Sequence, residues 1–158
     1  MSAQDEKLMR RFIVGRAIED LSEIPYSQLS FITGEPEIGD GTWIGAFTVL
    51  DGQGGLIIGR GVDIACGAAI LTHSSVKRCV TERRYPHVER ASVKIGDYVF
   101  IGENAVILMG SEIGDHSVVA AGAVVLENSK IPAYSLVAGV PAKVVRDIRE
   151  QVADWSEH

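Results

Sequence analysis

One histidine, His73 in the run ILTHSSV, stands just ahead of the longest stretch of this chain that breaks its internal repeat, the 19 residues from Val76 to Lys94. That stretch holds Lys77, Arg78, Arg83, Arg84, Arg90 and Lys94 against Glu82 and Glu89. It therefore carries +4, while the whole chain carries −6. An imidazole titrates near neutrality and can take the proton of an attacking hydroxyl or amine. Guanidinium groups hold pairs of phosphate or carboxylate oxygens in a planar fork. A base beside a cluster of arginines could thus move a proton next to a bound anion. Position alone also allows His73 to be a solvated surface residue, and the loop cations to pair with acids of a neighbouring subunit.

Other chemistry is hard to build from this chain. Cys66 and Cys79 have neither the count nor the spacing of a disulfide framework or a zinc site. His87, His116 and His158 lack a spaced partner, and His116 reads as solvent-facing. The run LDGQGGLII looks like a phosphate loop, but the residues after it continue a β-type repeat and open no helix.

That repeat must position His73. Aliphatic residues return every six positions at Ile38, Ile44 and Leu50, then at Ile58, Ile64 and Ile70. The beat resumes through Ile95, Ile101, Ile107, Ile113, Val119, Val125, Ile131 and Val137. Four residues after each stands something small or β-branched, such as Thr42, Ala68, Ala105 or Ser117, and Gly or Ala often follows directly. Neither an amphipathic helix nor a long hairpin strand has a period of six. A second beat of eighteen groups three hexads into one coil. The expected fold is an all-β solenoid of about five stacked coils, each rising by about 4.8 Å, with three flat parallel ladders around an aliphatic prism. Two interruptions must leave the prism as loops: a two-residue one inside 50 to 58, and the excursion of 76–94.

The ends differ. Residues 1–31 are expected to form an N-terminal helical cap, with Leu8, Met9, Phe12, Ile13 and Ile18 at helical spacing. The repeat domain spans 32–141. Residues 142–158 are expected to form a C-terminal helix, with Val145, Ile148, Val152 and Trp155 on one side. Both helices would cover the open edges of the solenoid. The acidic balance argues against nucleic-acid binding. No apolar run approaches a membrane span, and the charged start MSAQDEKLMRR argues against a secretory signal, so the expected compartment is the cytoplasm.

The stretch IGDYVFIGENAVILMGSEIGDHSVVAAGAVV, with VAGVPAKVVRDI after it, resembles the hexapeptide-repeat acyltransferases, the left-handed β-helix family of galactoside, maltose and polysaccharide acetyltransferases. The resemblance covers about Ile32 to Ile148. It implies a left-handed winding, acetyl-CoA as co-substrate, a sugar or nucleotide-linked sugar as acceptor, and a homotrimer with shared active sites. It implies His73 as catalytic base and no covalent enzyme intermediate. It places Phe100 where VWIG usually has Trp, offers the backbone of Ala121 and Gly122 to the pantetheine arm, and brings Lys143 and Arg146 of AKVVR to the phosphates. Where relatives carry Thr-Lys, this chain has Leu126 and Glu127, and Lys130 would substitute for the missing lysine. Asp51, Arg83, Arg84 and Tyr85 are the expected acceptor contacts. The alternatives on the same fold are a metalloenzyme like the γ-class carbonic anhydrases, for which no histidine pair stands five apart, and a trimeric scaffold without chemistry.

Overall fold

The hexads form two- to four-residue strands and corners in the computed structural model, which describes residues 29–157. Three parallel ladders result, each of five strands one coil apart. The first contains Phe31–Gly34, Val49–Gly52, Ala69–Ile70, Val106–Ile107 and Val124–Val125. The second contains Glu37–Ile38, Leu56–Ile58, Val93–Ile95, Glu112–Ile113 and Lys130–Ile131. The third contains Trp43–Ile44, Asp63–Ile64, Phe100–Ile101, Val118–Val119 and Ser135–Ala138. The register pairs Ile44 with Ile64, Ile64 with Ile101, and Ile101 with Val119, so like stacks on like. The prism interior is thereby filled with aliphatic side chains that water does not reach.

The small position of the hexad has a physical reason. It sits inside a corner, and at three such positions a hydroxyl bonds a carbonyl of the next coil: Thr42 to Gly59 O at 2.9 Å, Ser111 to Leu126 O at 2.9 Å, and Ser117 to Pro132 O at 3.0 Å. Among the described residues no buried side-chain nitrogen or oxygen lacks a partner.

Left-handed backbone closes the corners. Between the second and third ladders it falls on Gly41, Gly61, Tyr98, His116 and Tyr134 in successive coils. A Cβ at Gly61 would lie 2.7 Å from the Tyr98 ring, so glycine is required there. The stacking continues downward: Tyr98 on His116 at 5.2 Å between ring centres, His116 on Tyr134 at 4.8 Å. The guanidinium of Arg60 covers one end of this column at 5.5 Å and that of Arg149 the other at 4.9 Å. His116 is therefore a stacked, half-buried ring and not a solvent-facing one.

Two boundaries move. Residues 142–158 are not helical throughout. Lys143–Asp147 is a strand antiparallel to Ser135–Ala138, and only Arg149–Ser156 is helix. The β-branched Val144 and Val145 extend the backbone, and the last rung of the third ladder offers it bonding partners. The excursion also has structure of its own: a short helix Val76–Val80, and an antiparallel pair of His73–Ser74 with Glu89–Arg90. Its final residues return to the prism in Val93–Ile95, which pairs with Leu56–Ile58. The expected cap of residues 1–31 lies outside the described residues up to position 28. Among the described residues no helix is long and apolar enough to cross a membrane.

Replacing His116 by Asn keeps a residue that accepts left-handed backbone, as Asn104 and Asn128 do at other corners, and removes the ring between the two tyrosines. Urea unfolding should show a loss of about 1–2 kcal/mol. An unchanged midpoint would mean that the column contributes nothing.

Candidate active site

Both interruptions of the repeat leave the prism at one corner, where the first ladder passes to the second, in adjacent coils. The shorter lies between Val49–Gly52 and Leu56–Ile58, the longer between Ala69–Ile70 and Val93–Ile95. Since Leu50 stands beside Ile70 in the ladder, the residues that follow each of them meet. Asp51 comes from the first and Thr72 and His73 from the second.

Asp51 is 2% exposed. Its Oδ2 accepts from the Thr72 N–H at 2.9 Å and the Thr72 hydroxyl at 2.9 Å, and lies 2.5 Å from His73 Nδ1. Its Oδ1 accepts from the Gln53 N–H at 3.0 Å and the Thr33 hydroxyl at 3.2 Å. Burial pushes the carboxyl upward, but the bonds from Thr72 N–H, His73, Gln53 N–H and the Thr72 hydroxyl together outweigh it and hold the group well below the usual carboxylate range. An ionised carboxylate only accepts, so Nδ1 of His73 carries the proton toward it. In the neutral ring the lone pair then sits on Nε2, and the His73 side chain is 37% exposed. A histidine oriented by a buried carboxylate and open to solvent is an arrangement suited to general base chemistry.

Asp51 is thus misplaced as an acceptor contact, because both its oxygens are engaged inside the protein. It belongs to the orientation of His73. His73 itself lies in a short antiparallel strand. Its ladder partner is Arg90, which brings that cation alongside. Elsewhere in the excursion Lys77 Nζ lies 2.6 Å from Glu89, an ion pair that raises the lysine's pKa, and Lys77 stands 5.9 Å from the Tyr85 ring. Tyr85 is half-buried with His87 against its edge at 5.4 Å. Arg83 and Arg84 are exposed on the turn after the short helix, and Arg84 Nε donates to Thr81 O at 3.0 Å.

The expected coenzyme contacts, Lys130 apart, lie on or beside the third ladder, away from the corner of His73. Phe100 faces outward from the third ladder, Lys143 and Arg146 extend its far edge, and Ala121 and Gly122 form an exposed corner with open space at the glycine. Lys130 is on the second ladder with its Nζ 2.6 Å from Glu112, which lowers the pKa of that carboxyl. Lys94, Glu112 and Lys130, with Gly96, Gly114 and Pro132 beside them, line a groove of about 380 Å³. Among the described residues no three His, Cys, Asp or Glu side chains come together as a metal site.

Residues 92–127 match the family model of the bacterial transferase hexapeptide, six repeats. Among solved structures, a hexapeptide-repeat containing acetyltransferase of Vibrio cholerae O1 biovar eltor, complexed with acetyl-coenzyme A, is 34% identical, with a TM-score of 0.65 over 76% of this chain and 65% of that one. A galactoside acetyltransferase in complex with coenzyme A is 28% identical, with a TM-score of 0.68 over 78% of this chain and 62% of that one. This chain therefore spans a little under two thirds of either. An N-acyltransferase from Bacillus cereus, in complex with dTDP and 3-hydroxybutyryl-CoA, shares the fold at a TM-score of 0.70 and 18% identity, over 84% of this chain and 73% of that one. No curated protein matches the chain. The chain is a hexapeptide-repeat protein, wound as the left-handed parallel β-helix of that repeat. Its structural neighbours include hexapeptide-repeat acetyltransferases.

Asp51→Asn should lower stability by about 1–3 kcal/mol at pH 7, since a charged acceptor of several buried donors is lost. The folded carboxyl titrates below its ordinary 3.8, so its contribution is whole above that value and is lost as the pH falls through the window beneath it. Urea curves of the two proteins should converge on acidification. A gap that stays constant down to the acid limit would assign the loss to something other than the carboxylate.

Proposed function

We propose that this protein is an acetyl-CoA-dependent acetyltransferase that moves the acetyl group to a hydroxyl or amine of a sugar or nucleotide-linked sugar, with His73 as the general base. The observation that carries this reading is the contact of His73 Nδ1 with buried Asp51 at 2.5 Å. The 34% identity to an acetyltransferase that binds acetyl-coenzyme A supports the donor, and the galactoside acetyltransferase supports a sugar acceptor. In the reaction Nε2 takes the proton of the acceptor as its oxygen or nitrogen attacks the thioester carbonyl. The tetrahedral intermediate collapses with cleavage of the carbon–sulfur bond, and the imidazolium returns the proton to the departing CoA sulfur. No covalent enzyme intermediate is needed. The setting that suits such a reaction is cytoplasmic polysaccharide biosynthesis.

A homotrimer completes this proposal. Of the candidate coenzyme residues, Phe100, Lys143 and Arg146 belong to the third ladder and Ala121 and Gly122 to the corner after it, whereas His73 leaves the corner between the first and second, so a site that joins them draws on two subunits. The outward row that runs through all five strands of the first ladder is apolar, with Phe31, Val49, Ala69, Val106 and Val124 in register. The second ladder instead presents Glu37, Ile57, Lys94, Glu112 and Lys130. The first ladder is therefore the side that gains from cyclic closure.

His73→Ala should lower kcat by about 10²- to 10⁴-fold with little change in KM for acetyl-CoA. The check is a free-thiol assay across a panel of sugars and nucleotide-linked sugars, and a variant that turns over like the wild type removes His73 from the reaction.

The excursion holds the anionic part of a substrate through Arg83 and Arg84, with Tyr85 beside them. Replacing both arginines by Ala should raise KM for the charged substrate far more than it lowers kcat, with a salt dependence weaker than that of the wild type. Unaltered kinetics in a preparation whose trimer dissociates in sedimentation would show the loop to be subunit contact instead.

A further inference from the structure

Thr72 is completely buried, and each of its polar atoms bonds across the chain breaks. Its N–H donates to Asp51 Oδ2 at 2.9 Å. Its hydroxyl lies 2.8 Å from Asp51 O and 2.9 Å from Asp51 Oδ2, and accepts from the Gly54 N–H at 2.8 Å. Its carbonyl accepts from the Ala91 N–H at 3.0 Å, at the point where the excursion returns. One residue, through its backbone and its hydroxyl, thus ties together the carboxylate beside His73, the two-residue insertion of the previous coil, and the far end of the excursion. Gly54 is fitted to this: a Cβ there would strike the Thr72 carbonyl oxygen and sit 2.9 Å from the Thr72 Cβ. Only a residue without a side chain lets the Gly54 N–H reach the hydroxyl.

We infer that Thr72 is a positioning residue for His73, its hydroxyl passing the Gly54 N–H contact on to Asp51 and so fixing the carboxylate under the imidazole. The inference rests on the reading of His73 as a base for its effect on turnover, but not for its effect on the ring. An aspartate without this bond has one donor fewer on Oδ2 and more than one way to turn. The proton on Nδ1 is then less firmly specified, and part of the population carries it on Nε2, where it blocks proton uptake.

The test compares Thr72→Val, which keeps the shape and removes the hydroxyl, with Thr72→Ser, which keeps the hydroxyl. Two quantities are read: kcat with KM for acetyl-CoA, and the ¹⁵N shifts of the His73 ring in protein without substrate. Thr72→Val should lower kcat by about 10- to 100-fold, the worth of one hydrogen bond to a charged group, while KM stays within about twofold. Its ring shifts should move from a single Nδ1–H form toward a mixture, and Thr72→Ser should stay near the wild type in both respects. Equal impairment of the two variants, or an unchanged tautomer in Thr72→Val, overturns the inference. If His73→Ala leaves turnover intact, the base reading falls by itself, and the ¹⁵N shifts still decide the role of Thr72. Should Thr72→Val not fold, the wild type decides: the Thr72 and Gly54 amide signals should follow the titration of the His73 ring, and amides that ignore it overturn the inference.

Discussion

Each coil must bond to the next at every position along its ladders. At one position the chain of bonds runs from Gly45 N–H to Ile64 O at 2.7 Å, Ala65 N–H to Ile101 O at 2.8 Å, Gly102 N–H to Val119 O at 2.8 Å, and Ala120 N–H to Val137 O at 2.9 Å. A coil that lengthened one side by a residue would strip its neighbours of these partners and turn their aliphatic side chains outward. Extra residues are tolerated only at corners. The site follows from this constraint. Two insertions leave one corner in adjacent coils, and the register that forbids them elsewhere brings Asp51 against His73.

The buried carboxylate has to be reconciled with that packing. Removing an isolated carboxylate from water costs several kcal/mol even after relaxation, and a single surface pair such as Arg60 with Asp97 at 3.1 Å contributes at most about 1 kcal/mol. Asp51 instead receives bonds from Thr72, Gln53, Thr33 and His73. Bonds to a charged group contribute about 1.5–3 kcal/mol each, enough together to offset the burial. A group satisfied from so many directions is also fixed in orientation, and His73 inherits that fixity.

The sequence made the prism legible because a six-residue period leaves little choice of fold, and the left-handed corners fall on glycine, on asparagine or on the aromatic column, with Phe47 as an exception. His73 is a candidate through the family resemblance, since its place before the excursion by itself fits a solvated surface histidine better. Asp51 was named for the wrong task, since spacing along the chain does not show that two insertions share a corner. The signal was present: Leu50 and Ile70 occupy equivalent positions in successive coils, and both breaks follow them. His116 was misread because an aromatic column one coil apart depends on residues eighteen positions distant, at Tyr98 and Tyr134, which a local reading does not connect. The run 143–147 was read as helix because Val145, Ile148 and Val152 have helical spacing. Pairing with Ser135–Ala138 overrode that periodicity.

The three corners of the prism consequently do different work. Between the second and third ladders the column from Arg60 to Arg149 joins the coils to the final helix. Between the third and first the turns stay short, around Gly67, Asn104 and Gly122. Between the first and second the coil opens and the polar network sits. His73 stands at the boundary of that network, anchored through buried Asp51 and Thr72, while the helix Val76–Val80 buries none of its residues. Local stability follows burial. His73 is therefore anchored on buried, fully bonded residues, and Arg83 and Arg84 lie on an exposed part that can change its shape or sequence without disturbing a ladder. On this architecture the excursion can vary while the bonded network at the corner stays the same.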